Sequence, residues 1–248
     1  MERGLEGRLA VVTGASSGIG EAVARALAGE GATVALLARR KDRLDRLASE
    51  LQSKGAEARA YEVDVTDEEA VRDVAERVRG DLGRADCLVN NAGQMLLGLF
   101  AEQDPDEWRR MIDLNVTGVL ETTKAFLDQL TDGGGDLVNI SSVAGRRARP
   151  TTSAYNATKW GMNGWSEALR VELLPHRVRV IVVEPGMVRT ELADHITDEQ
   201  LREGMRTKWD EIEALTPEDV AASVVFAVSQ PERVSLNEIL IRPTGQEY

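Results

Sequence analysis

The sequence alternates short runs of apolar and β-branched residues with longer segments that carry apolar residues at helical spacing. Seven of the short runs are predicted as strands, at residues 9–13, 33–38, 58–63, 87–90, 137–140, 178–184 and 237–241. The second run is apolar from residue 34 onward, as in strands that a parallel sheet buries on both faces. Because strands that alternate with helices are joined by right-handed crossovers, the predicted fold is α/β, a doubly wound parallel sheet with helices on both faces.

The chain is long enough for one large α/β domain or two small ones. It has 248 residues and shows no linker, low-complexity run or internal repeat, so a single domain over residues 1–248 is predicted. The stretch at about 187–213 differs from the rest, because it is polar, charged and weakly periodic and follows the end of a strand. Ligands bind at the carboxyl ends of strands in such sheets, which favours a substrate lid here. The alternative is a solvated helical insertion without a role.

Composition excludes several classes of function. The net charge of −12 argues against nucleic-acid binding and against an anionic membrane surface. The single cysteine, Cys87, permits no intrachain disulfide and fits a cytoplasmic protein; it is predicted to be a buried strand residue. No apolar run is long enough for a membrane span, and the N-terminus has no apolar core of a signal peptide. The two histidines are far apart, so no metal site is predicted.

A glycine-rich turn follows the first predicted strand and opens a helix. Gly14, Gly18 and Gly20 have the spacing Gly-x-x-x-Gly-x-Gly, which differs from the common dinucleotide fingerprint Gly-x-Gly-x-x-Gly. Glycines let the main chain approach a ligand, and the N–H groups at a helix N-terminus attract anions. In this strand–turn–helix setting the pattern predicts a pyrophosphate site in a Rossmann-type fold. The predicted contacts are those three glycines together with Ser16, Ser17 and Ile19.

The end of the second strand indicates which nicotinamide cofactor binds. Sites that prefer NAD carry an acidic residue there, which bonds the ribose 2′-hydroxyl. This sequence has Ala38, Arg39 and Arg40 instead, and arginine suits a 2′-phosphate through paired, charge-assisted hydrogen bonds. The predicted cofactor is NADP(H). The alternative is that Arg40 belongs to the solvated helix that follows.

Tyr155 and Lys159 form the predicted catalytic pair. They are four residues apart, which places both side chains on one helix face, about 5–6 Å apart at Cβ. A lysine ammonium beside a phenol is expected to lower the tyrosine pKa, so that the phenol can exchange a proton with an alcohol or carbonyl oxygen. Ser142 follows a predicted strand and can hold the same oxygen. The pair alone arises by chance and is more often a helix surface contact, so the prediction depends on the rest of the chain.

Six motifs occur in order along nearly the whole chain. They are Thr13-Gly-Ala-Ser-Ser-Gly-Ile-Gly20, Asn90-Asn-Ala-Gly93, Asn115, Ser142, Tyr155-Asn-Ala-Thr-Lys159 and Pro185-Gly-Met-Val-Arg-Thr190. Together they resemble the short-chain dehydrogenase/reductase family. The stretches 90–98 and 238–246 are similar to one branch of it, which includes clavulanate dehydrogenase and NADP-dependent serine/3-hydroxy-acid dehydrogenases.

The resemblance implies a role for each matching residue. Tyr155 is expected to act as the acid in reduction and the base in oxidation, Lys159 to lower its pKa and bind the nicotinamide ribose, and Ser142 to hold the substrate oxygen. Asn115 is expected to hold a water that links Lys159 to solvent, or else to serve as a packing hinge. The other implied cofactor contacts are Asn91, Ala92 and Gly93 on the adenosine side, Asp64 and Val65 at the adenine (where Asp64 can also simply cap a turn), and Pro185, Gly186, Val188 and Thr190 at the nicotinamide.

The substrate is less well determined by the sequence. Pocket walls are expected from Met95, Val143 and Met187, which are apolar. Arg146, Arg147 and Arg149 stand near the entrance in sequence, and one of them can pair with a substrate carboxylate or all can be solvated surface.

Three functions are compared. The leading hypothesis is NADPH-dependent reduction of an aldehyde or ketone, such as a β-lactam aldehyde or another metabolite of antibiotic biosynthesis. The second is oxidation of a 3-hydroxy acid or secondary alcohol with NADP. The third is a non-catalytic regulator that senses the cofactor; such a protein is expected to lack Ser142, Tyr155 or Lys159, whereas this chain has all three.

The resemblance also implies a homotetramer, with a long helix at 106–130 and the helix of Tyr155 buried between subunits. Trp160, Trp165 and Leu169 give the second helix more apolar surface than one inner face needs. The alternative is that the tryptophans pack inside the subunit.

Overall fold

The protein forms one seven-stranded, entirely parallel sheet with helices on both faces, as predicted. The computed structural model describes residues 4–247. Residues 1–3, where the N-terminal segment predicted to lack a signal peptide begins, lie outside the described part. The strand order is β3-β2-β1-β4-β5-β6-β7. The strands are β1 Leu9–Thr13, β2 Thr33–Ala38, β3 Ala58–Glu62, β4 Cys87–Asn90, β5 Gly135–Ile140, β6 Val178–Pro185 and β7 Glu238–Ile241.

Eight α-helices connect and flank these strands within residues 4–247. Each crossover carries apolar residues on the face that meets the sheet, which is why the segments between the strands are helical. The helices are α1 Gly18–Gly29, α2 Lys41–Ser53, α3 Glu68–Leu82, α4 Pro105–Ile112, α5 Gly118–Thr131, α6 Ser153–Glu172, α7 Glu199–Glu211 and α8 Pro217–Val228.

The core consists of two layers, one on each face of the sheet. Helices α1, α2 and α8 pack on one face, and α3, α5 and α6 pack on the other. Side chains alternate along β1, so that Ala10 and Val12 face the first layer while Leu9 and Val11 face the second. The chain order reverses between β1 and β4, which creates the crevice at the carboxyl ends of the strands where ligands bind in such folds.

The predicted long helix at 106–130 is wrong in one respect, because it is interrupted. Helix α4 passes into a π-helical turn at Asp113–Thr117, and α5 continues from it. A π turn adds one residue to a helical turn and is common at functional sites. It carries Asn115, which is fully buried.

The segment 187–213 is more ordered than its polar sequence indicates. It contains a short 3₁₀ helix, Glu191–His195, followed by α7. Ala193, Ile196 and Trp209 form a small apolar cluster with Leu97 from the loop after β4. This cluster anchors the segment, although Trp209 is the only buried residue along the described helix α7; the lid and the solvated insertion both stay open as interpretations.

Cys87 is a buried strand residue, as predicted, at the start of the central strand β4. Burial raises the pKa of its thiol to about 12. Among the described residues no helix has the length and apolar character to cross a membrane, and no group of His, Cys, Asp or Glu side chains could hold a metal ion.

Candidate active site

A cavity of about 480 Å³ lies at the carboxyl ends of the strands and extends under the segment 187–213. Its size and position suit a small-molecule site at the topological switch point. Nearly every predicted site residue lines it. The lining includes Gly14, Ser16, Ser17, Gly18, Ile19, Arg39, Arg40, Asp64, Val65, Asn91, Ala92, Gly93, Met95, Ser142, Val143, Tyr155, Lys159, Pro185, Gly186, Met187, Val188 and Thr190.

Two predicted residues lie behind the cavity wall rather than in it, Gly20 and Asn115. Gly20 is buried in the first turn of α1, where a Cβ would collide with the Gly14 carbonyl and the Asn91 side chain. Gly20 lets α1 pack closely against the turn, and the prediction that it contacts the cofactor stays a prediction. Gly14 has a φ of +64°, and a Cβ there would lie 2.8 Å from Asn91 Nδ2, so both its conformation and its space require glycine.

Thr13 fastens the glycine turn to the loop after β4, a role that sequence reasoning missed. Its Oγ1 accepts hydrogen bonds from the main-chain N–H groups of Asn91 (2.9 Å) and Ala92 (3.0 Å) and donates one to the Val89 carbonyl (3.3 Å). Asn91 Nδ2 donates in return to the Thr13 carbonyl at 3.0 Å. The position of Thr13 beside Gly14 was the available signal, since a threonine at a strand end can bond neighbouring main chain.

The turn and the start of α1 fit a dinucleotide phosphate. Ser17 occupies the N-cap position of α1, yet its side chain makes no capping hydrogen bond to the helix. The first-turn N–H groups thus lack a side-chain cap at the point where Gly18 and Ile19 line the cavity, which is the arrangement that binds anions.

Two arginines stand at the end of β2, where an acidic residue would favour NAD. Arg39 is 74% exposed, and its guanidinium lies 3.6 Å from the Asp64 carboxylate. Arg40 is held on both sides: Nε donates to Ser16 Oγ at 3.1 Å and Nη2 to Ser17 Oγ at 2.6 Å. Arg40 is therefore part of the glycine-turn site rather than merely the start of a solvated helix.

Asp64 both lines the cavity and caps a turn. Its Oδ1 accepts from the Thr66 N–H at 3.0 Å and from the Thr66 hydroxyl at 2.8 Å. The pKa of Asp64 lies below its ordinary value: burial opposes this, but the two Thr66 bonds and the charge of Arg39 outweigh it. The turn-capping alternative is confirmed. Because Asp64 also lines the cavity, the implied adenine contact stays a prediction.

The catalytic floor consists of Ser142, Tyr155 and Lys159, with Asn115 beneath them. Tyr155 and Lys159 are each 5% exposed, and the Lys159 nitrogen lies 5.8 Å from the centre of the Tyr155 ring. Ser142 is near enough to Tyr155 to lower the pKa of its phenol, and both side chains line the cavity. Lys159 Nζ donates to the Ile140 carbonyl at 2.9 Å, which fastens α6 to the end of β5. The predicted pair is thus an inward-facing group and not a helix surface contact.

The protonation of this pair differs from the expectation that Lys159 lowers the Tyr155 pKa. Burial raises the pKa of Tyr155 to about 12, and the hydroxyl of Ser142 lowers it only in part. Burial lowers the pKa of Lys159 to about 8. Each shift disfavours the charged form, as desolvation does for acids and bases alike. Tyr155 is accordingly a protonated phenol at neutral pH, which is the form that can donate a proton.

Asn115 fastens the π turn to the loop that borders the cavity. Its Oδ1 accepts from the Gln94 N–H at 2.9 Å, while Nδ2 donates to the Gln94 carbonyl at 2.8 Å and to Thr158 Oγ1 at 3.3 Å. Thr158 immediately precedes Lys159, so Asn115 couples the loop after β4 to the catalytic helix. This geometry bears out the hinge alternative and does not test the implied water relay.

Arg146 braces the loop that carries Ser142, whereas the sequence analysis offered it a substrate carboxylate or a position at the solvated surface. Arg146 Nε donates to the fully buried Glu184 carboxylate at 2.5 Å, and its Nη2 pairs with Glu238. Asn163, one turn beyond Lys159 on α6, donates to Glu184 at 2.7 Å and accepts from the Ser141 hydroxyl at 2.6 Å. The option that Arg146 pairs with a substrate carboxylate is therefore wrong, since two carboxylates of the chain already hold it.

A charged rim surrounds the cavity mouth; we define it as Arg39, Arg40, Asp64, Arg147, Arg149 and Glu191. The backbone of Arg147 is tied down, because its carbonyl accepts from Asn156 Nδ2 at 2.8 Å. Thr151 has a φ of +70°, a strained value for a β-branched residue, and its carbonyl accepts from the Gly98 N–H at 3.0 Å. The loop that presents Arg147 and Arg149 is thus held in place at the mouth.

Comparison with known proteins agrees with this site. The family model described as short chain dehydrogenase matches residues 8–201. The chain belongs to the short-chain dehydrogenase family. It is an oxidoreductase, as predicted, and the match covers the glycine turn, the catalytic floor and the start of the segment 187–213.

Relatives of known name or structure support the same conclusion. The chain is 42% identical, over 98% of its length, to glycine betaine reductase ATRR of the fungus Emericella nidulans, but it spans only 19% of that protein. An alcohol dehydrogenase of the archaeon Thermococcus sibiricus, solved with 5-hydroxy-NADP, is 33% identical with a TM-score of 0.88; 97% of this chain and 98% of that one are covered. The closed form of a serine dehydrogenase, solved with NADP⁺, is 31% identical with a TM-score of 0.90, over 97% and 96% of the two chains.

Proposed function

We propose that the protein is an NADPH-dependent carbonyl reductase that converts an aldehyde or ketone to an alcohol. The observation that carries this proposal is the Tyr155–Ser142 hydroxyl pair, which lines, with the buried Lys159, a cavity that begins at an anion-binding turn. A carbonyl oxygen placed against this pair would meet two O–H donors. Such donors stabilise the negative charge that develops on the oxygen during reduction.

Within this proposal the chain supplies binding, orientation and the proton. The cofactor, when bound, supplies the hydride for the carbonyl carbon. Ser142 holds the carbonyl oxygen, and Tyr155 donates its phenolic proton to it; in the oxidative direction the same oxygen would return the proton to Tyr155. Lys159 contributes positive charge beneath the phenol, and the Asn115 water relay implied by the family resemblance is retained as part of the proposal.

NADP(H) is the proposed cofactor because Arg39 and Arg40 replace the acidic residue that binds a ribose diol. The solved relatives with NADP or a derivative support this assignment. The proposed contacts are those of the sequence analysis. Besides Gly20, they are the cavity-lining residues Gly14, Ser16, Ser17, Gly18, Ile19, Arg39, Arg40, Asp64, Val65, Asn91, Ala92, Gly93, Tyr155, Lys159, Pro185, Gly186, Val188 and Thr190.

The segment 187–213 is proposed as the substrate lid. Met187 and Trp209 line the cavity with Met95 and Val143, and both methionines pack against the apolar cluster around Trp209. An apolar wall next to two hydroxyl donors suits a substrate with one polar reacting group on a hydrocarbon body. A β-lactam aldehyde, or another metabolite of antibiotic biosynthesis, is one member of this class.

A second candidate, NADP-dependent oxidation of a 3-hydroxy acid or secondary alcohol, has an observation in its favour. Four arginines, Arg39, Arg40, Arg147 and Arg149, line the cavity together with two acidic residues, Asp64 and Glu191. In a chain of net charge −12, such a local excess of positive charge favours an anionic substrate. The serine dehydrogenase relative acts on a substrate that bears a carboxylate, which supports the same candidate.

A homotetramer remains part of the proposal, with a smaller apolar surface than the sequence predicts. Trp165 and Leu169 pack against the subunit's own core, so the alternative is correct for Trp165 and wrong for Trp160, which is exposed. The exposed apolar side chains of α4, α5 and α6 are Ile112, Leu120, Trp160 and Val171. Size-exclusion chromatography with light scattering tests this assembly, and a monomer contradicts it. A cytoplasmic location also stays a proposal.

The function is tested by following NADPH absorbance with purified protein and a panel of aldehydes, ketones and β-keto acids, with NADH in parallel. The reverse assay uses NADP⁺ with 3-hydroxy acids and secondary alcohols. Turnover with NADPH, greatest for one carbonyl class, is expected, and the ratio of the two directions at neutral pH ranks the two candidates. Absence of turnover in either direction, while NADPH still binds, would contradict the proposal.

A further inference from the structure

Glu191 joins the segment 187–213 to Arg40, after the end of β2, and to Arg43 of α2. It is the first residue of the short 3₁₀ helix, and its carboxylate lines the cavity rim. Arg40 Nη1 donates to it at 2.8 Å, and Arg43 Nη1 donates to its two oxygens at 2.8 and 3.0 Å. No local sequence pattern indicates these contacts, because about 150 residues separate the partners (151 for Arg40).

These bonds occupy the part of Arg40 that a phosphate would use. Nε and Nη2 of Arg40 are bonded to Ser16 and Ser17 of the glycine turn, and Glu191 takes Nη1. A guanidinium binds a phosphate most strongly through two parallel N–H groups. Three of its five N–H groups are thus bonded within the chain, and the one that Glu191 holds on Nη1 becomes available to a 2′-phosphate only if that carboxylate moves away.

Glu191 is the partner that a phosphate opposes most. The serine hydroxyls are neutral and can bond both an arginine and a phosphate, whereas a carboxylate and a phosphate repel each other. Glu191 is 44% exposed, so it can move to solvent without leaving a buried charge behind. The two arginines hold the pKa of Glu191 at about 2, so the carboxylate is ionised throughout the physiological range.

We propose that Glu191 sets cofactor selectivity by competing with the 2′-phosphate of NADP(H) for Arg40. This inference rests on the proposed function for its cofactor. Arg39 is 74% exposed, with its guanidinium 3.6 Å from the Asp64 carboxylate, and can meet the phosphate without competing with Glu191. Glu191 also begins the short helix that leads into the lid, so a phosphate that displaces it from Arg40 removes one of its two arginine ties, whereas NADH leaves both intact.

The test compares dissociation constants of NADPH and NADH by fluorescence titration, without substrate, for wild type and Glu191→Gln. The amide has the same shape but no charge. We expect NADPH to bind about three- to tenfold more tightly, the range of a partly exposed ion pair, and NADH to change less than twofold. Asp194→Asn is the matched control: it removes the same charge from the same short helix, but Asp194 pairs with Arg206 and does not line the cofactor cavity.

A double-variant cycle decides whether Arg40 mediates the effect. We expect the gain from Glu191→Gln to disappear in an Arg40→Gln background, since no competition remains there. An unchanged NADPH constant in Glu191→Gln would overturn the inference, as would an equal gain in Asp194→Asn or a gain that persists without Arg40. A wild type that binds NADPH no more tightly than NADH is a separate result, which contradicts the cofactor proposal itself.

Discussion

The catalytic floor and the charged rim occupy one cavity but are built in opposite ways. On the floor, Asn115 and Lys159 are buried, and their side chains bond main-chain carbonyls of neighbouring elements. On the rim, partly exposed side chains such as Arg40 and Glu191 bond one another. Floor geometry is therefore fixed by where the sheet and α6 lie, whereas rim contacts can exchange one partner for another. Reaction chemistry belongs to the first region, and the choice of ligand belongs to the second.

The largest expected effect tests the floor. Tyr155→Phe removes the proton donor while keeping the ring, so kcat should fall about 10²–10⁴-fold. The dissociation constant of NADPH should change much less than kcat, because Tyr155 is one of many proposed cofactor contacts, and the melting temperature should change little, because the buried ring is kept. Stopped-flow or steady-state rates measure kcat, a titration of NADPH measures its dissociation constant, and thermal unfolding measures the melting temperature. A variant that keeps a tenth of the wild-type kcat would remove Tyr155 from the reaction.

The next prediction concerns the ionisation of Lys159. The folded protein holds its pKa at about 8 against an ordinary 10.5, so between these values the unfolded chain binds the extra proton. The unfolding free energy of wild type should therefore rise with pH across that window, relative to Lys159→Met. The rise should be on the order of 3 kcal/mol. Below about pH 8 the difference should be constant.

Urea unfolding of both proteins from pH 7 to 10.5 measures this difference. Tyr155 and the other tyrosines titrate in both proteins, so their contributions cancel in the comparison. If the unfolding free energies of the two proteins change with pH in parallel, Lys159 is solvated. The floor residues would then exchange contacts as readily as the rim residues.

The smallest expected effect tests the rim at its substrate end. Arg147→Gln should raise KM about fivefold for a carbonyl substrate that carries a carboxylate and leave a neutral aldehyde unchanged, with kcat constant in both cases. Arg170→Gln, on the distal end of α6, is the control for a lost surface charge. Equal effects on charged and neutral substrates would show that Arg147 acts through structure and not through charge.

Local patterns predicted the fold and most of the site. Three of these patterns are each encoded within a few residues: the glycine turn, the apolar runs that form strands, and the four-residue spacing of Tyr155 and Lys159. Helix and strand periodicity determine which side chains meet within them. The sheet, the inward-facing pair and the cavity position followed from them. The neutral state of Tyr155 did not, because desolvation depends on packing from elements that are distant in sequence.

The contacts of two arginines were not predicted because their partners lie far along the chain. Arg146 is 38 residues from Glu184, and Arg40 is 151 from Glu191, so no spacing rule could pair them. Gly20 lies within the motif but is buried against the turn, a position that only packing shows. The π turn around Asn115 inserts one residue without disturbing the polar and apolar pattern enough to mark a break in the helix.

The lone cysteine provides a way to time rare openings of this protein. Cys87 begins the central strand, with Ala10 and Asp136 of β1 and β5 beside it, and its thiol has a pKa of about 12. A disulfide reagent needs an exposed thiolate, so it can react only with molecules in which the sheet has come apart at its middle. The rate of labelling under native conditions therefore measures the fraction of wild-type molecules whose sheet is open at β4, and no mutation is needed. Any slowing by an added nucleotide reports its binding energy through a residue that no ligand touches.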